Sequence, residues 1–223
     1  MGNFFPKWIN WLPLKLAICI VVLVTAISCG MWYYFTPKYT RVGYQPKQPV
    51  PFSHAIHVEQ LGMDCRYCHS YVELSAHSNV PNTQTCINCH GPGKIKPTNP
   101  KLNAIKDSWN DGKAGGPAMQ WVQIHQVPDY VYFNHAVHVN RGVSCYSCHG
   151  PINKMEVVYQ HEPQSMKWCL DCHRAPENFL RPPNEVFNMN WHPVSADEQT
   201  KIGEQFKKDW DVNPPLTCGG CHR

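Results

Sequence analysis

The strongest hydrophobic pattern in the chain is an unbroken apolar run near its start. Residues 14–35, LKLAICIVVLVTAISCGMWYYF, contain a single charged side chain, Lys15, and end in aromatic residues. At helical rise they extend about 33 Å, enough to cross the hydrocarbon core of a bilayer. The sequence therefore predicts one transmembrane anchor helix in an N-terminal segment, residues 1–36. A cleaved secretory signal with an acylated Cys29 is the alternative, but the apolar run continues to Phe35 and favours an uncleaved anchor.

Beyond the anchor the apolar pattern is short and interrupted. Residues 37–51 contain four prolines and predict an extended linker. Residues 98–112 predict a short helix with a polar cap at Asn99. With 43% apolar residues and 20 prolines, the polypeptide alone offers little material for a core. We expect a loop-rich domain with short α-helices and little β-structure.

A second helix is predicted after residue 192. Ser195 and Glu198 are spaced as a capping box, the usual start of a helix. Apolar residues then recur at every fourth position, at Ile202, Phe206 and Trp210. This apolar stripe is expected to pack on the rest of the fold or on a cofactor, and a partner-docking surface is the alternative.

The pattern CxxCH occurs five times after the linker. It appears as CRYCH, CINCH, CYSCH, CLDCH and CGGCH, ending at residues 69, 90, 149, 173 and 222. In this pattern the two thiols form thioether bonds to a haem and the histidine becomes the proximal iron ligand. Paired CxxC units also bind zinc, but zinc does not require the histidine that follows all five copies.

The motifs predict five covalently attached haem c groups and a multihaem cytochrome c fold. The thioether cysteines are Cys65, Cys68, Cys86, Cys89, Cys145, Cys148, Cys169, Cys172, Cys218 and Cys221. The proximal histidines are His69, His90, His149, His173 and His222. The remaining two of the twelve cysteines, Cys19 and Cys29, lie in the apolar run, so no disulfide framework is predicted.

Haem attachment also changes the interpretation of the net charge. The polypeptide carries a formal charge of +4. Five haems with ionised propionates bring the loaded protein to about −1 when oxidised and about −6 when reduced. The sequence therefore gives no support for nucleic-acid binding.

An internal duplication organises the motifs. FSHAIHVEQLGMDCRYCH, from residue 52, matches FNHAVHVNRGVSCYSCH, from residue 133, and each copy leads to a second CxxCH followed closely by proline. We expect a first dihaem module with a connecting segment in residues 52–131 and a second dihaem module in residues 132–184. A C-terminal segment, residues 185–223, carries the predicted helix and the fifth haem.

Eight histidines remain after the proximal ligands are assigned, and they supply candidates for the distal iron positions. The two pairs spaced i, i+3 in the duplicated segments are predicted ligands: His54, His57, His135 and His138. His125 is the preferred fifth ligand, with His77, His161 and His192 in reserve. Met166 and Met155 precede the fourth motif, and Met166 is a candidate ligand that would raise the potential of that haem. Packing of Met166 against Trp168 is the equal alternative.

Five haems in fewer than 200 extramembrane residues predict an electron-transfer protein. Multihaem enzymes need an iron with an open position, often signalled by a replaced proximal residue. All five motifs end in histidine and spare histidines outnumber the open positions, so we expect no catalytic site on this chain. Because c-type haem is attached outside the bacterial cytoplasmic membrane, the haem domain is expected on the periplasmic side of a single-pass protein.

Longer phrases around the motifs resemble the pentahaem cytochrome subunit of alternative complex III, a bacterial quinol-oxidising complex. They are WVQIHQVPDYVYFNHAVH, CYSCHGPINKM, SMKWCLDCHRAPENFLRP, CRYCHSYVELS and PNTQTCINCH. The resemblance covers nearly the whole chain. It implies a periplasmic iron–sulfur subunit related to molybdopterin enzymes, multi-spanning quinol-oxidising subunits and a monohaem cytochrome c as partners, with a terminal oxidase as a further acceptor. The alternative is a freestanding quinol dehydrogenase that feeds periplasmic reductases, a family in which four motifs are usual.

Overall fold

The computed structural model describes residues 6–35, 41–113 and 115–222, and the chain divides into two units, Met1–Val42 and Gly43–Arg223. The first unit contains helix α1, Leu12–Phe35, preceded by a 3-10 turn over Lys7–Trp11. The most apolar 18-residue window of Lys7–Phe35 has a mean hydropathy of 2.4, and none of that window is buried. Within the described residues it is the one helix long and apolar enough to cross a membrane, as the apolar run predicts.

The second unit is built from short helices joined by loops. After a π-helical turn at Ala55–Gln60, the α-helices are α2 Cys65–Cys68, α3 Thr83–His90, α4 Asn103–Trp109, α5 His135–Val139, α6 Cys145–His149, α7 Met166–Arg174, α8 Ala196–Asp209 and α9 Cys218–Cys221. The described residues form no β-sheet, and two isolated bridges join Val131 to His222 and Val143 to Leu180. The expected helical, loop-rich multihaem architecture is confirmed.

The second half of the predicted linker has no regular secondary structure from residue 44 to residue 48 and is bound to the haem domain. Residues 36–40 lie outside the described residues. The Gly43 amide donates to the Gln160 carbonyl at 2.8 Å, and the Gln48 side chain bonds Val122 through both its oxygen and its nitrogen. Val50 is buried. The linker is therefore part of the domain surface from residue 43 onward.

Two small clusters of buried side chains hold the second unit together. Val50, Ile87 and Ile105 form one cluster, and Val72, Val139 and Val186 form the other. The second cluster joins the segment after α2 to α5 and to the loop before α8. Such small clusters are expected for a chain that surrounds large apolar cofactors.

The predicted helix starts agree with the structure in most details. Asn99 accepts a hydrogen bond from the Lys101 amide, but the helix it begins is a 3-10 turn, Pro100–Leu102, that continues into α4. At the start of α8 the Ser195 side chain accepts from the Glu198 amide, while the Glu198 carboxylate accepts from Val194 and not from Ser195. The predicted cap at Ser195 is confirmed. The second hydrogen bond of a capping box would join the Ser195 amide to Glu198, and here it comes from Val194, one residue earlier.

Helix α8 packs against the 3-10 turn Pro176–Asn178. The Gln199 amide donates to the carbonyls of Glu177 and Leu180, and Lys207 forms a 2.8 Å ion pair with Glu177. Gly203 is buried at the contact. The helix therefore packs on the rest of the fold through these residues, and the packing of its apolar stripe stays a prediction.

Replacing Gly203 by alanine is expected to destabilise the domain by about 1–3 kcal/mol, because the new methyl group would overlap the backbone carbonyl of Glu177. Thermal unfolding of the haem-loaded protein measures this. Glu204→Ala, at the adjacent exposed position of α8, is the control. Equal unfolding temperatures for the two variants would contradict the close contact.

Candidate haem-binding site

The five CxxCH motifs lie on five short helices, α2, α3, α6, α7 and α9. Side-chain caps begin four of them: Asp64, Asn82, Ser144 and Ser165 each accept a hydrogen bond from a backbone amide in the first turn. Residues i and i+3 lie on one side of such a turn, so the two thiols of each motif face the same way. The caps therefore present paired thiols to one planar cofactor.

The motif thiols are chemically available for thioether bonds. All twelve cysteines are free. Across the described residues no group of three or more His, Cys, Asp or Glu side chains is gathered as a zinc site requires. The arrangement favours haem over zinc.

Three proximal histidines are oriented by backbone carbonyls outside their own motifs. The Nδ1 atom of His69 lies 2.7 Å from the Asn79 oxygen, and that of His173 lies 2.9 Å from the Pro215 oxygen. His90 has the same contact with Ile95 at 3.1 Å. Because a carbonyl only accepts, Nδ1 must carry the proton, which leaves the Nε2 lone pair for a metal.

Three predicted distal histidines show the same arrangement. The Nδ1 atom of His57 faces the Ser53 carbonyl at 2.8 Å, and that of His138 faces the Asn134 carbonyl at 2.7 Å. His135 bonds the Ala76 carbonyl at 2.9 Å. These imidazoles are therefore also held in the tautomer that binds iron through Nε2.

The phenylalanine shared by the duplicated segments has a structural role. Phe52 stacks on His57 at a centroid distance of 4.4 Å and meets His54 edge-on at 4.9 Å. In the second module Phe133 stacks on the second histidine and meets the first edge-on, both at 4.7 Å. The aromatic ring thus fixes both members of each histidine pair.

The second histidine of each pair faces a proximal histidine of its own module. The ring centroids of His57 and His90 are 6.1 Å apart, and those of His138 and His173 are 6.2 Å apart. Two imidazoles on opposite sides of one iron, with metal–nitrogen bonds of about 2 Å, have centroids roughly 6 Å apart. Both pairs therefore fit one iron between them.

His125 and His149 form a third close pair, at a centroid distance of 4.3 Å. Nε2 of His125 and Nδ1 of His149 are buried and have no hydrogen-bond partner among the described residues. Burial lowers the pKa of His149 to about 3 and that of His125 to about 4, so both are neutral, as metal ligation requires. Their centroid distance is shorter than the roughly 6 Å that an iron between two imidazoles requires, so the unpaired nitrogens indicate a partner beside these rings and not between them.

The first histidines of the two pairs lie around His69. Burial lowers the pKa of His54 to about 4, with nearby His69 contributing, and the buried Nδ1 atom of His54 has no partner within the described part of the chain. Burial also lowers the pKa of His135, and His69 is again among its neighbours. The structure thus places three predicted ligands, His54, His125 and His135, near the proximal histidines His69 and His149.

The fifth proximal histidine is surrounded differently. The ring facing His222 is that of Tyr130, at a centroid distance of 5.7 Å, and the Tyr132 amide donates to the Cys221 carbonyl at 2.7 Å. Nothing in the sequence marks Tyr130 for this position. The carbonyls of Asn79, Ile95 and Pro215 could not be predicted either, because every residue type supplies one.

The remaining candidate ligands stay predictions. His77 and His192 are exposed, and His192 contacts Tyr146. The Nδ1 atom of His161 faces the Glu162 carboxylate at 3.0 Å. Met166, the first residue of α7, is 62% exposed, whereas Met155 is buried.

A family of cytochromes matches the C-terminal part of this chain, and a known multihaem cytochrome matches most of its length. The family described as cytochrome c7 and related cytochrome c matches residues 131–223. The multihaem cytochrome c subunit of menaquinone reductase from Nitratidesulfovibrio vulgaris is 32% identical, over 72% of this chain and 81% of the relative. The relative is similar over most of both chains, and the motif helices and oriented histidines agree with it. The chain therefore belongs to the multihaem cytochrome c family.

Proposed function

We propose that this chain is a membrane-anchored pentahaem cytochrome c that relays electrons from quinol oxidation within a multisubunit respiratory complex. The observation that carries the proposal is the pairing of His57 with His90 and of His138 with His173, because a second imidazole would complete the iron coordination at those motifs and leave no position there for substrate. Haem iron bound by two imidazoles supplies a one-electron carrier whose geometry changes little on reduction. The family assignment gives covalent haem, and the five motifs support a count of five.

Helix α1 and the CxxCH motifs together support a position of this chain at the periplasmic face of the membrane. Helix α1 has the length and hydropathy of a membrane span. Covalent haem attachment outside the bacterial cytoplasmic membrane supports a periplasmic haem domain. The anchor would then keep the haem domain close to the bilayer, where quinol is the available reductant.

The proposed partners come from the resemblance to alternative complex III and from the relative. The relative is named as a subunit of a menaquinone reductase, which supports a complex over a freestanding protein. Within alternative complex III the partners would be an iron–sulfur subunit related to molybdopterin enzymes, multi-spanning quinol-oxidising subunits and a monohaem cytochrome c. Electrons would leave toward that monohaem cytochrome or a terminal oxidase.

The name of the relative also supports a second direction of electron flow. A menaquinone reductase passes electrons to the quinone, whereas our proposal takes them from quinol. The histidine ligands described above serve both directions equally. We favour quinol oxidation because the sequence segments around the motifs resemble the pentahaem subunit of alternative complex III.

Composition of the native assembly tests the proposal. The chain is isolated from gently solubilised membranes through a C-terminal tag, and co-purifying subunits are identified by mass spectrometry. We expect an iron–sulfur subunit, multi-spanning proteins and a monohaem cytochrome c. Isolation of the chain alone, still reducible by quinol, would instead establish the freestanding quinol dehydrogenase.

A further inference from the structure

The five motifs contact one another in an order that differs from their order in the sequence. We number them as first (residues 65–69), second (86–90), third (145–149), fourth (169–173) and fifth (218–222). Contacts between motifs matter because electrons tunnel between cofactors held side by side. Four contacts establish the order.

The first motif contacts the second. The Asn88 amide nitrogen, between the cysteines of the second motif, lies 3.5 Å from the Tyr67 hydroxyl, between those of the first. This contact brings the helices of the two motifs, α2 and α3, side by side.

The first motif also contacts the third. The Arg66 guanidinium lies over the Phe187 ring at 4.6 Å, and the adjacent Val186 carbonyl accepts a 2.9 Å hydrogen bond from Ser144, the cap of the third motif. The first motif thus lies between the second and the third.

Hydrogen bonds between the modules fix this contact. The Asn140 side chain donates to the Glu73 carbonyl at 2.9 Å, and the amides of His135 and Ala136 donate to the carbonyls of Ala76 and Ser75, both at 3.2 Å. These bonds tie the segment that follows the first motif to helix α5, which leads into the third. The modules are therefore joined through their first motifs.

The third motif contacts the fourth. Helix α5 places His138 opposite His173 of the fourth motif, with ring centroids 6.2 Å apart. Just before the third motif, the Gly142 carbonyl accepts a 3.0 Å hydrogen bond from the Arg181 amide, and an isolated bridge joins Val143 to Leu180, both in the segment after the fourth motif. The second module therefore keeps its two motifs together.

The fourth motif contacts the fifth. Nδ1 of His173 donates to the carbonyl of Pro215, three residues before the fifth motif, at 2.9 Å. The C-terminal segment therefore extends the series from the second module.

We infer that the haems form a single series in the order second, first, third, fourth, fifth, with the second and fifth motifs at its two ends. The inference rests on the proposed count of five. It makes the third motif the centre, so that every electron crossing the protein passes the site at Cys145, Cys148 and His149. The duplication explains the arrangement, because the modules meet at their first motifs and their second motifs point outward.

Iron positions in the haem-loaded protein, obtained by electron microscopy of the solubilised complex, test the order directly. We expect the iron at His90 to have that at His69 as its nearest neighbour within the chain, and the iron at His222 to have that at His173. A different nearest iron for either end would overturn the series. This measurement does not depend on the direction of electron flow or on the identity of the donor.

A kinetic measurement tests the same order in solution. In the variant Cys145→Ala with Cys148→Ala, quinol should rapidly reduce at most two of the four remaining haems, whichever end electrons enter. Rapid reduction of all four would overturn the inference. If quinol reduces no haem even in the unaltered complex, the proposed function fails, while the iron positions still decide the order.

Discussion

Replacing Cys145 and Cys148 together by alanine is expected to leave the protein with one covalent haem fewer. These thiols lie on one side of helix α6 and are the predicted attachment points of the third haem. Without them the cofactor at His149 has no covalent attachment. The intact mass of the purified, denatured chain gives the number of attached haems directly.

The matched control is the variant Cys19→Ala with Cys29→Ala. These cysteines lie in helix α1, outside every motif, so removing them should leave the haem count unchanged. The unaltered protein should carry five haems and the Cys145/Cys148 variant four. A lower count in the control, or an unchanged count in the motif variant, would contradict the assignment of the third motif.

The variant His138→Ala is expected to convert one iron, about a fifth of the total, from low spin to high spin. His138 faces His173, and its Nδ1 proton is held by the Asn134 carbonyl, so Nε2 is the atom that would bind iron. Removing the ring opens one coordination position without disturbing the thioether bonds. Electron paramagnetic resonance measures the high-spin fraction, and added imidazole should restore the low-spin signal.

Two further variants make this result specific. His57→Ala, at the equivalent position of the first module, should open the site at His90 in the same way, because the two pairs have nearly equal centroid distances. His192→Ala removes an exposed histidine that contacts Tyr146 and should leave all irons low spin. An unchanged low-spin spectrum for His138→Ala would remove that histidine from the set of ligands.

The local parts of the site could be predicted from the sequence because they depend on spacing. The CxxCH motif specifies the attachment residues within one helical turn, and the i, i+3 spacing places His135 and His138 on one side of helix α5. The caps at Asn99 and Ser195 were equally predictable, since a cap is a property of a few consecutive residues.

The long-range parts could not be predicted in this way. The carbonyls that orient His69 and His173 belong to Asn79 and Pro215, and a backbone oxygen has no signature in the sequence. The order of the motifs depends on contacts between distant segments, such as the Arg66 side chain over Phe187. The repeat marked Phe52 and Phe133 as equivalent, but their stacking on the histidines became clear only in the structure.

Electron transfer between quinol and the haems of this chain is the central claim of the proposed function. The most direct measurement mixes the purified native complex, fully oxidised, with menaquinol and follows haem absorbance in time. We predict reduction of the haems without any added mediator, followed by reoxidation when an oxidised monohaem cytochrome c is supplied. Haems that stay oxidised with menaquinol, yet are reduced by dithionite, would contradict the proposed function.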